Sequence, residues 1–313
     1  MRKYSIVTPT FYRFKELPDY FKSIEEQVFL PFEVILIDGA PLEEIRSEEF
    51  VNKYKETSKL NIKYYRYTGG TAIQRNYGIE KVTGDIVIFI DDDVRIDQNF
   101  ILELNKVYEN DIPQIVGGVT GIRTNVIFDI NKSKRWKWYK WFNFFKEYRP
   151  GYYDYKTGYP INNSGYPIFS GIREVDFMTT ACTSYRTPIL KKIKFNDFFI
   201  GYGVLEDAHL ALKVKKAGYK LFQCGDAKAI ELSSQSGRSN SRIIAERTAI
   251  NYYFVFKDIC GPLTIKMKYR FIRFQLFEWL RAFIDIFRFR TKRSVEYFYG
   301  KTVGIYKVIF TKI

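Results

Sequence analysis

Two short apolar runs, VILID at 34–38 and IVIFI at 86–90, constrain this chain more than any other feature. Each is almost continuously hydrophobic where a half-exposed strand would alternate, so each must be a strand covered on both faces. With these two included, runs of strand length lie at 4–10, 32–38, 62–67, 85–91, 115–120, 175–185 and 220–224. Between them, helical periodicity covers 16–28, 43–55, 72–82, 98–108, 206–217 and 242–257. Strands alternating with amphipathic helices predict an α/β fold: a Rossmann-like, mostly parallel central sheet with helices on both faces. Residues 122–173 interrupt the alternation with a stretch rich in Gly, Pro, Tyr and Asn, expected to be an irregular aromatic insertion.

A chain of 313 residues that is 46% hydrophobic can bury a sizeable core, which excludes disorder. The longest uncharged stretch, 157–172, carries Pro, Asn and Gly, so no membrane-spanning helix is expected. The opening MRKYSIVTPTF reaches polar residues and Pro9 too soon for a secretory leader, which predicts a cytoplasmic protein. Cys182, Cys224 and Cys260 form no CxxC pair and read as reduced core thiols.

The net charge of +15 is concentrated. Residues 263–313 hold 12 Lys or Arg against 3 Asp or Glu, and residues 131–155 hold 7 against 2; together these segments carry all four Trp. Cations mixed with aromatic rings suit a membrane surface, with rings at headgroup level and cations on anionic phosphates. Single-stranded nucleic acid could use the same mixture, and so could an ordinary core under a solvated basic face. In 266–290 the charges Lys266, Arg270, Arg273, Arg281, Asp285 and Arg288 can share one helical stripe, leaving a broad apolar surface. The segment is therefore expected to be a basic amphipathic C-terminal appendage lying on the inner face of the cell membrane, with 131–155 as a second candidate surface.

The chemistry starts at Asp91, Asp92 and Asp93. Three adjacent carboxylates repel one another, and here they follow a buried strand, at the sheet edge where open α/β sheets bind ligands. A hard divalent cation relieves that repulsion, and Mg²⁺ is commonly held by one or two carboxylates plus phosphate oxygens of a substrate. Thr8, Pro9 and Thr10 end the first strand and Asp38 ends the next, so they should gather at the same edge. TGGTAIQRNYG then opens a helix carrying Arg75, and GYGVLEDAHL puts Glu206 and Asp207 in the first turn of another. There is no GxGxxG and no P-loop, which argues against a dinucleotide fold or a triphosphate cradle.

This ordered series over 3–258 resembles the family-two inverting glycosyltransferases with the type-A glycosyltransferase fold. The resemblance implies a catalytic domain over 1–258, with a nucleotide-sugar half at 1–121 and an acceptor half at 174–258, followed by the appendage at 259–313. It implies that Thr8, Pro9 and Asp38 line base and ribose, that Arg75 contacts the nucleotide, that Thr10 and Asp92 take part in binding the nucleotide sugar, and that Asp91 holds ribose or metal-bound water. Asp93 would bind Mg²⁺ or Mn²⁺ between the two phosphates. Asp207 would be the general base, supported by Glu206, and the acceptor would be a glycan or a lipid-linked molecule in cell-surface polysaccharide synthesis. No nucleic acid partner is expected.

Two departures stand out. Where the family often has a His near the metal, AKAIELSS offers Glu231 as an oxygen ligand, while the single histidine, His209, is expected to be structural. The element QSGRS at 235–239 lacks the Trp of the QxxRW motif of processive synthases, which favours transfer of single sugars. Competing readings are a nucleotidyltransferase, which lacks a Gly-rich loop near Thr8–Arg13, and a non-enzymatic basic membrane- or RNA-binding protein, which leaves the acidic series unexplained.

Overall fold

The structure is a computed structural model that describes residues 2–126, 128–161, 168–201, 203–232, 234 and 240–310. The first half alternates strictly: β1 (Tyr4–Thr10), α1 (Leu17–Glu25), β2 (Glu33–Asp38), α2 (Arg46–Lys55), β3 (Ile62–Arg66), α3 (Thr71–Lys81) and β4 (Ile86–Ile90). A short β5 (Val94–Ile96), α4 (Phe100–Glu109) and β6 (Val116–Arg123) follow. The insertion contains α5 (Lys134–Trp141) and a hairpin of β7 (Tyr153–Asp154) and β8 (Tyr159–Pro160). Then come β9 (Ile172–Val175), β10 (Cys182–Arg186), α6 (Thr187–Lys192), α7 (Glu206–Lys216), β11 (Lys220–Glu231), α8 (Ser241–Cys260), α9 (Ile265–Phe289) and α10 (Lys292–Phe310).

The central sheet has the order β3-β2-β1-β4-β10-β6-β11-β5, with β9 on β11. β1 pairs in parallel with both β2 and β4, so the strand order reverses beside β1 and opens a crevice at the carboxyl ends of these strands. β10 runs antiparallel between β4 and β6, with Cys182 opposite Ile90. Its leading residues, 179–181, consequently arrive where β4 ends.

The continuous apolar runs are buried on both sides, as their pattern predicts. Ile6, Leu36 and Ile88 pack with α1 and α4 on one face, while Val7, Ile37 and Phe89 pack with α3, α6 and α7 on the other. The 175–185 run is two strands: β9 ends at Val175, and 176–181 leave the sheet before β10 begins. The insertion is also more ordered than its composition suggests. Trp136, Tyr139, Phe145 and Ile161 form a small core of their own, closed by Phe274 of α9.

The C-terminal helices are packed against the rest of the molecule. α10 lies along α8 with its backbone unusually close: a Cβ on Gly300 would come 2.1 Å from the Arg242 carbonyl oxygen, and one on Gly304 2.5 Å from that of Glu246. Under α9, Glu278 is buried and takes hydrogen bonds from Tyr139 Oη (2.7 Å), Arg135 Nη2 (2.6 Å) and Arg281 Nη2 (3.1 Å). Burial alone would raise the Glu278 carboxyl, but Arg135 and then Arg281 outweigh it and hold it down to about 2. Among the described residues, no helix is long and apolar enough to cross a membrane.

Candidate active site

A cleft of about 350 Å³ opens at the carboxyl edge of β1 and β4, bounded across by the start of α7. Pro9, Thr10, Arg75, Asp91, Asp92, Asp93, Glu206, Asp207 and Glu231 all line it, so nine of the residues singled out in the sequence converge there. Thr8 and Asp38 do not. Thr8 is wholly buried and its hydroxyl is bonded to Tyr20 Oη. Asp38 is wholly buried as well, with one carboxylate oxygen accepting from the Ala40 N–H (2.8 Å) and the other from Tyr64 Oη (2.7 Å). Thr8 ties β1 to α1, and Asp38 braces the turn after β2.

The two acidic clusters come together because two glycines do. Gly70 caps α3 at φ 97° and forms a bridge to Gly201, where a Cβ would stand 2.1 Å from the Gly201 carbonyl oxygen. Only glycine meets both demands. The contact seats the loop leading into α7 over the start of α3, and Leu205, in the left-handed region at φ 69°, turns the chain into Glu206. Buried Arg75 then spans the gap, donating from Nη2 to Asp91 (2.9 Å) and from Nη1 to Glu206 (3.1 Å).

The three aspartates face different ways. Asp91 is about a third exposed to the cleft and shares its charge with Arg75. Asp92 turns inward, accepting from Thr10 Oγ1 (2.7 Å) and Arg13 Nη1 (2.7 Å); burial pushes its carboxyl up to about 7 despite Arg13. Asp93 lies 3.0 Å from Arg13 Nη1 and accepts from the Ser234 N–H (3.1 Å). Its affinity for a proton is raised by burial and by the charges of Asp91 and then Glu231. Glu231 reaches the cleft at the end of β11, ion-paired with Arg123.

The ED pair is equally differentiated. Glu206 is spent on Arg75, whereas Asp207 remains open to the cleft, its Oδ1 accepting from the Ala208 N–H (2.7 Å). Burial, and after it the negative charge of Glu206, raises Asp207 above the ordinary carboxylate range. His209 lies deeper in α7, fully buried and bonded through Nε2 to Asp258 of α8 (2.8 Å), so it serves the packing of two helices. The element 235–239 falls outside the described residues.

Several further cleft residues had no signal in the sequence, Arg13, Gln74, Arg123 and Thr180 among them. Arg13 and Arg123 find their acidic partners 79 and 108 positions away. Gln74 ties β1 to β2 by donating from Nε2 to the carbonyls of Thr10 (3.2 Å) and Ile37 (2.8 Å). Thr180 comes from the segment that precedes β10.

Whether this donor set suits a divalent cation can be judged from its charges. Asp91 is close enough to raise the cost of ionising Asp93, and both offer hard oxygens of the kind Mg²⁺ and Mn²⁺ take. Among the described residues, no group of three or more His, Cys, Asp or Glu is arranged to hold a metal alone. A cation here fits as one completed by oxygens of a bound ligand.

Comparison with known proteins agrees with this architecture. Over 98 residues the chain is 30% identical to the poly(ribitol-phosphate) beta-N-acetylglucosaminyltransferase TarS of Staphylococcus aureus, covering 30% of this chain and 16% of that protein. Over 96 residues it is 33% identical to the GalNAc(5)-diNAcBac-PP-undecaprenol beta-1,3-glucosyltransferase of Campylobacter jejuni, covering 30% of each. The chain thus spans under a third of the length of these relatives. In structure it is similar to the mannosyltransferase PcManGT of Pyrobaculum calidifontis, solved with GDP-Man and Mn²⁺, with a TM-score of 0.57 at 14% identity over 100% of this chain and 76% of that one. It is also similar to GalNAc-T7, solved with UDP, GalNAc and Mn²⁺, with a TM-score of 0.61 at 14% identity over 82% of this chain and 48% of that one. The glycosyl transferase family 2 pattern matches residues 5–191, more than half of the chain, which therefore belongs to that family of glycosyltransferases and has its type-A fold.

Proposed function

We propose that the protein transfers one sugar from a nucleotide-diphosphate sugar to a hydroxyl of a glycan or lipid-linked acceptor, with inversion, in the assembly of a cell-surface polysaccharide. The observation that carries this reading is the meeting of Asp91–Asp93 and Asp207 across one cleft through Arg75. The donor's diphosphate would lie on the Asp91–Asp93 side, with the nucleotide against Pro9, Thr10 and Arg75. Asp92, bound to Thr10 and Arg13, would hold that wall in shape. Thr8 and Asp38 would support the base end from behind rather than touch it.

Asp93 and Asp91 would hold Mg²⁺ or Mn²⁺, with Glu231 as a further oxygen ligand once it releases Arg123. When bound, such a cation supplies Lewis-acid neutralisation of the charge that develops on the leaving diphosphate. Asp207 stands on the opposite side of the cleft. It accepts the proton of the acceptor hydroxyl as that oxygen bonds to the anomeric carbon and the bond from that carbon to the phosphate oxygen breaks. A raised carboxyl is a better base than an ordinary one, and Glu206 keeps it raised while its own charge is absorbed by Arg75. The enzyme would work from the cytoplasmic side of a membrane, through 263–313 and 131–155.

The test is turnover in Asp207→Asn. Thermal stabilisation by UDP, GDP or TDP with Mn²⁺ should be retained, while nucleoside diphosphate release from the matching donor falls by about 10²–10⁴. Parent-level turnover in this variant would overturn the assignment.

A further inference from the structure

Away from the cleft, α5 and α9 enclose a second cavity of about 440 Å³, a size typical of small-ligand sites. Its walls are Trp138 from α5, Phe142 just past the end of α5, and Phe277, Leu280 and Ile284 from α9. The two helices are fixed on either side of it. Arg135 reaches Glu278 (2.6 Å), Arg273 donates to the Phe142 carbonyl (2.6 Å), and the Phe142 and Phe277 rings meet at 5.0 Å. The groove is thus built rather than left by loose packing. Yet Trp138, Leu280 and Ile284 are each about half exposed, and Trp141 beside them is 76% exposed.

The charges at its rim separate into spent and available ones. Arg135 is paired with Glu278, and Arg281 with Glu278 and Asp285. Lys134 and Arg288 also line the groove, and among the described residues neither has a carboxylate within ion-pair distance. A slot with apolar walls and two uncompensated cations at its mouth matches an amphiphile with a hydrocarbon chain and an anionic head. A second copy of the chain is a poor occupant, because each copy carries +15 and would bring the same cations to face themselves.

We infer that the α5–α9 groove is a lipid site: it takes one hydrocarbon chain of a membrane lipid along Trp138, Leu280 and Ile284, with the anionic headgroup on Lys134 and Arg288. The inference deepens the reading of an enzyme at a membrane surface, and rests on it only for the link to the acceptor. The exposed side chains next to the groove, Trp141 and Phe287 among them, would rest in the same lipid interface.

The experiment uses the full chain with monomeric dodecyl phosphate, read by tryptophan fluorescence and calorimetry, with decyl phosphate, dodecyl maltoside and phosphatidylglycerol vesicles as further arms. Dodecyl phosphate should bind at one saturable site, each methylene tightening binding by about fourfold. Leu280→Glu, a change at a half-exposed position, should weaken it by at least about tenfold, and Arg288→Glu by several-fold. Both variants should also lose co-sedimentation with the vesicles. Non-saturable partitioning, equal binding by Leu280→Glu, or equal affinity for the maltoside would each overturn the inference. Stabilisation by nucleoside diphosphate and Mn²⁺ is measured on the same samples. Its loss in the parent would strike the transferase reading and leave the groove result standing, whereas its retention in Leu280→Glu establishes that the variant is folded.

Discussion

Arg75 holds Asp91 with one guanidinium nitrogen at 2.9 Å and Glu206 with the other at 3.1 Å, so one buried cation joins carboxylates 115 positions apart in the chain. Removing it leaves the buried Glu206 carboxylate without its partner, and breaking a buried ion pair from one side typically costs about 3–5 kcal/mol. Arg75→Met should therefore lower the unfolding free energy measured in urea by that amount. Arg75→Met combined with Glu206→Gln should recover part of it. If the single and double variants are equally unstable, the bridge is not what makes Arg75 important.

Activity should depend on pH through Asp207. Its carboxyl is raised by burial and by Glu206, and a general base works only when deprotonated. Turnover should thus fall as pH drops through a point above the usual carboxylate range. Glu206→Gln removes the charge that raises Asp207, so the acidic limb of the pH profile should move to lower pH. A limb that stays in place would separate the two groups.

Asp93→Asn should abolish any Mn²⁺-dependent part of nucleoside diphosphate affinity, while metal-independent binding persists. Calorimetry with Mn²⁺ and with EDTA measures the two parts. Equal affinities in the parent under both conditions would remove the metal from the site.

The Glu278 hub makes the docking of α9 sensitive to acid. A folded value of about 2 against 4.5 for the free group means that its stabilisation is complete above about pH 4.5 and fades as pH falls toward 2. The stability gap between the parent and Glu278→Gln should shrink by about 3 kcal/mol over that window. A gap that is constant from pH 6 to 2 would show that the charge contributes nothing.

Gly300→Val should separate α10 from α8, since the contact to the Arg242 carbonyl is backbone and cannot give way as a flexible side chain would. Overpacking of this kind usually costs about 1–3 kcal/mol, so the melting temperature should fall.

The parts of this molecule that were legible in its sequence are those with a local signature. VILID and IVIFI announced buried strands because both faces of the sheet are covered, and GYGVLEDAHL announced a helix start. The family assignment also sets aside the nucleotidyltransferase and non-enzymatic alternatives. The partners of the cleft were not legible, because Arg13 with Asp92 and Arg123 with Glu231 are brought together by topology alone. In the tail, the apolar residues looked like one free surface. Phe271 and Phe274 are in fact buried, while an outer row that includes Ile272, Leu276, Leu280, Ile284 and Phe287 is exposed, and Glu278, a charged residue, sits on the inner side. Charge is a poor guide to exposure when the partners come from a distant insertion.

The bridge between Gly70 and Gly201 also orders events in time. Chains are made from the N-terminus, and the strands β1 to β4 can collect from neighbouring contacts while the rest is still being synthesised. In that interval Arg75 has Asp91 beside it but not Glu206, and the cleft has only one wall. Closing a loop of this length is a late, entropically costly step. The wall carrying Asp91–Asp93 would thus exist before Asp207 arrives, and under the proposed function a half-finished chain could hold a nucleotide but could not consume a donor.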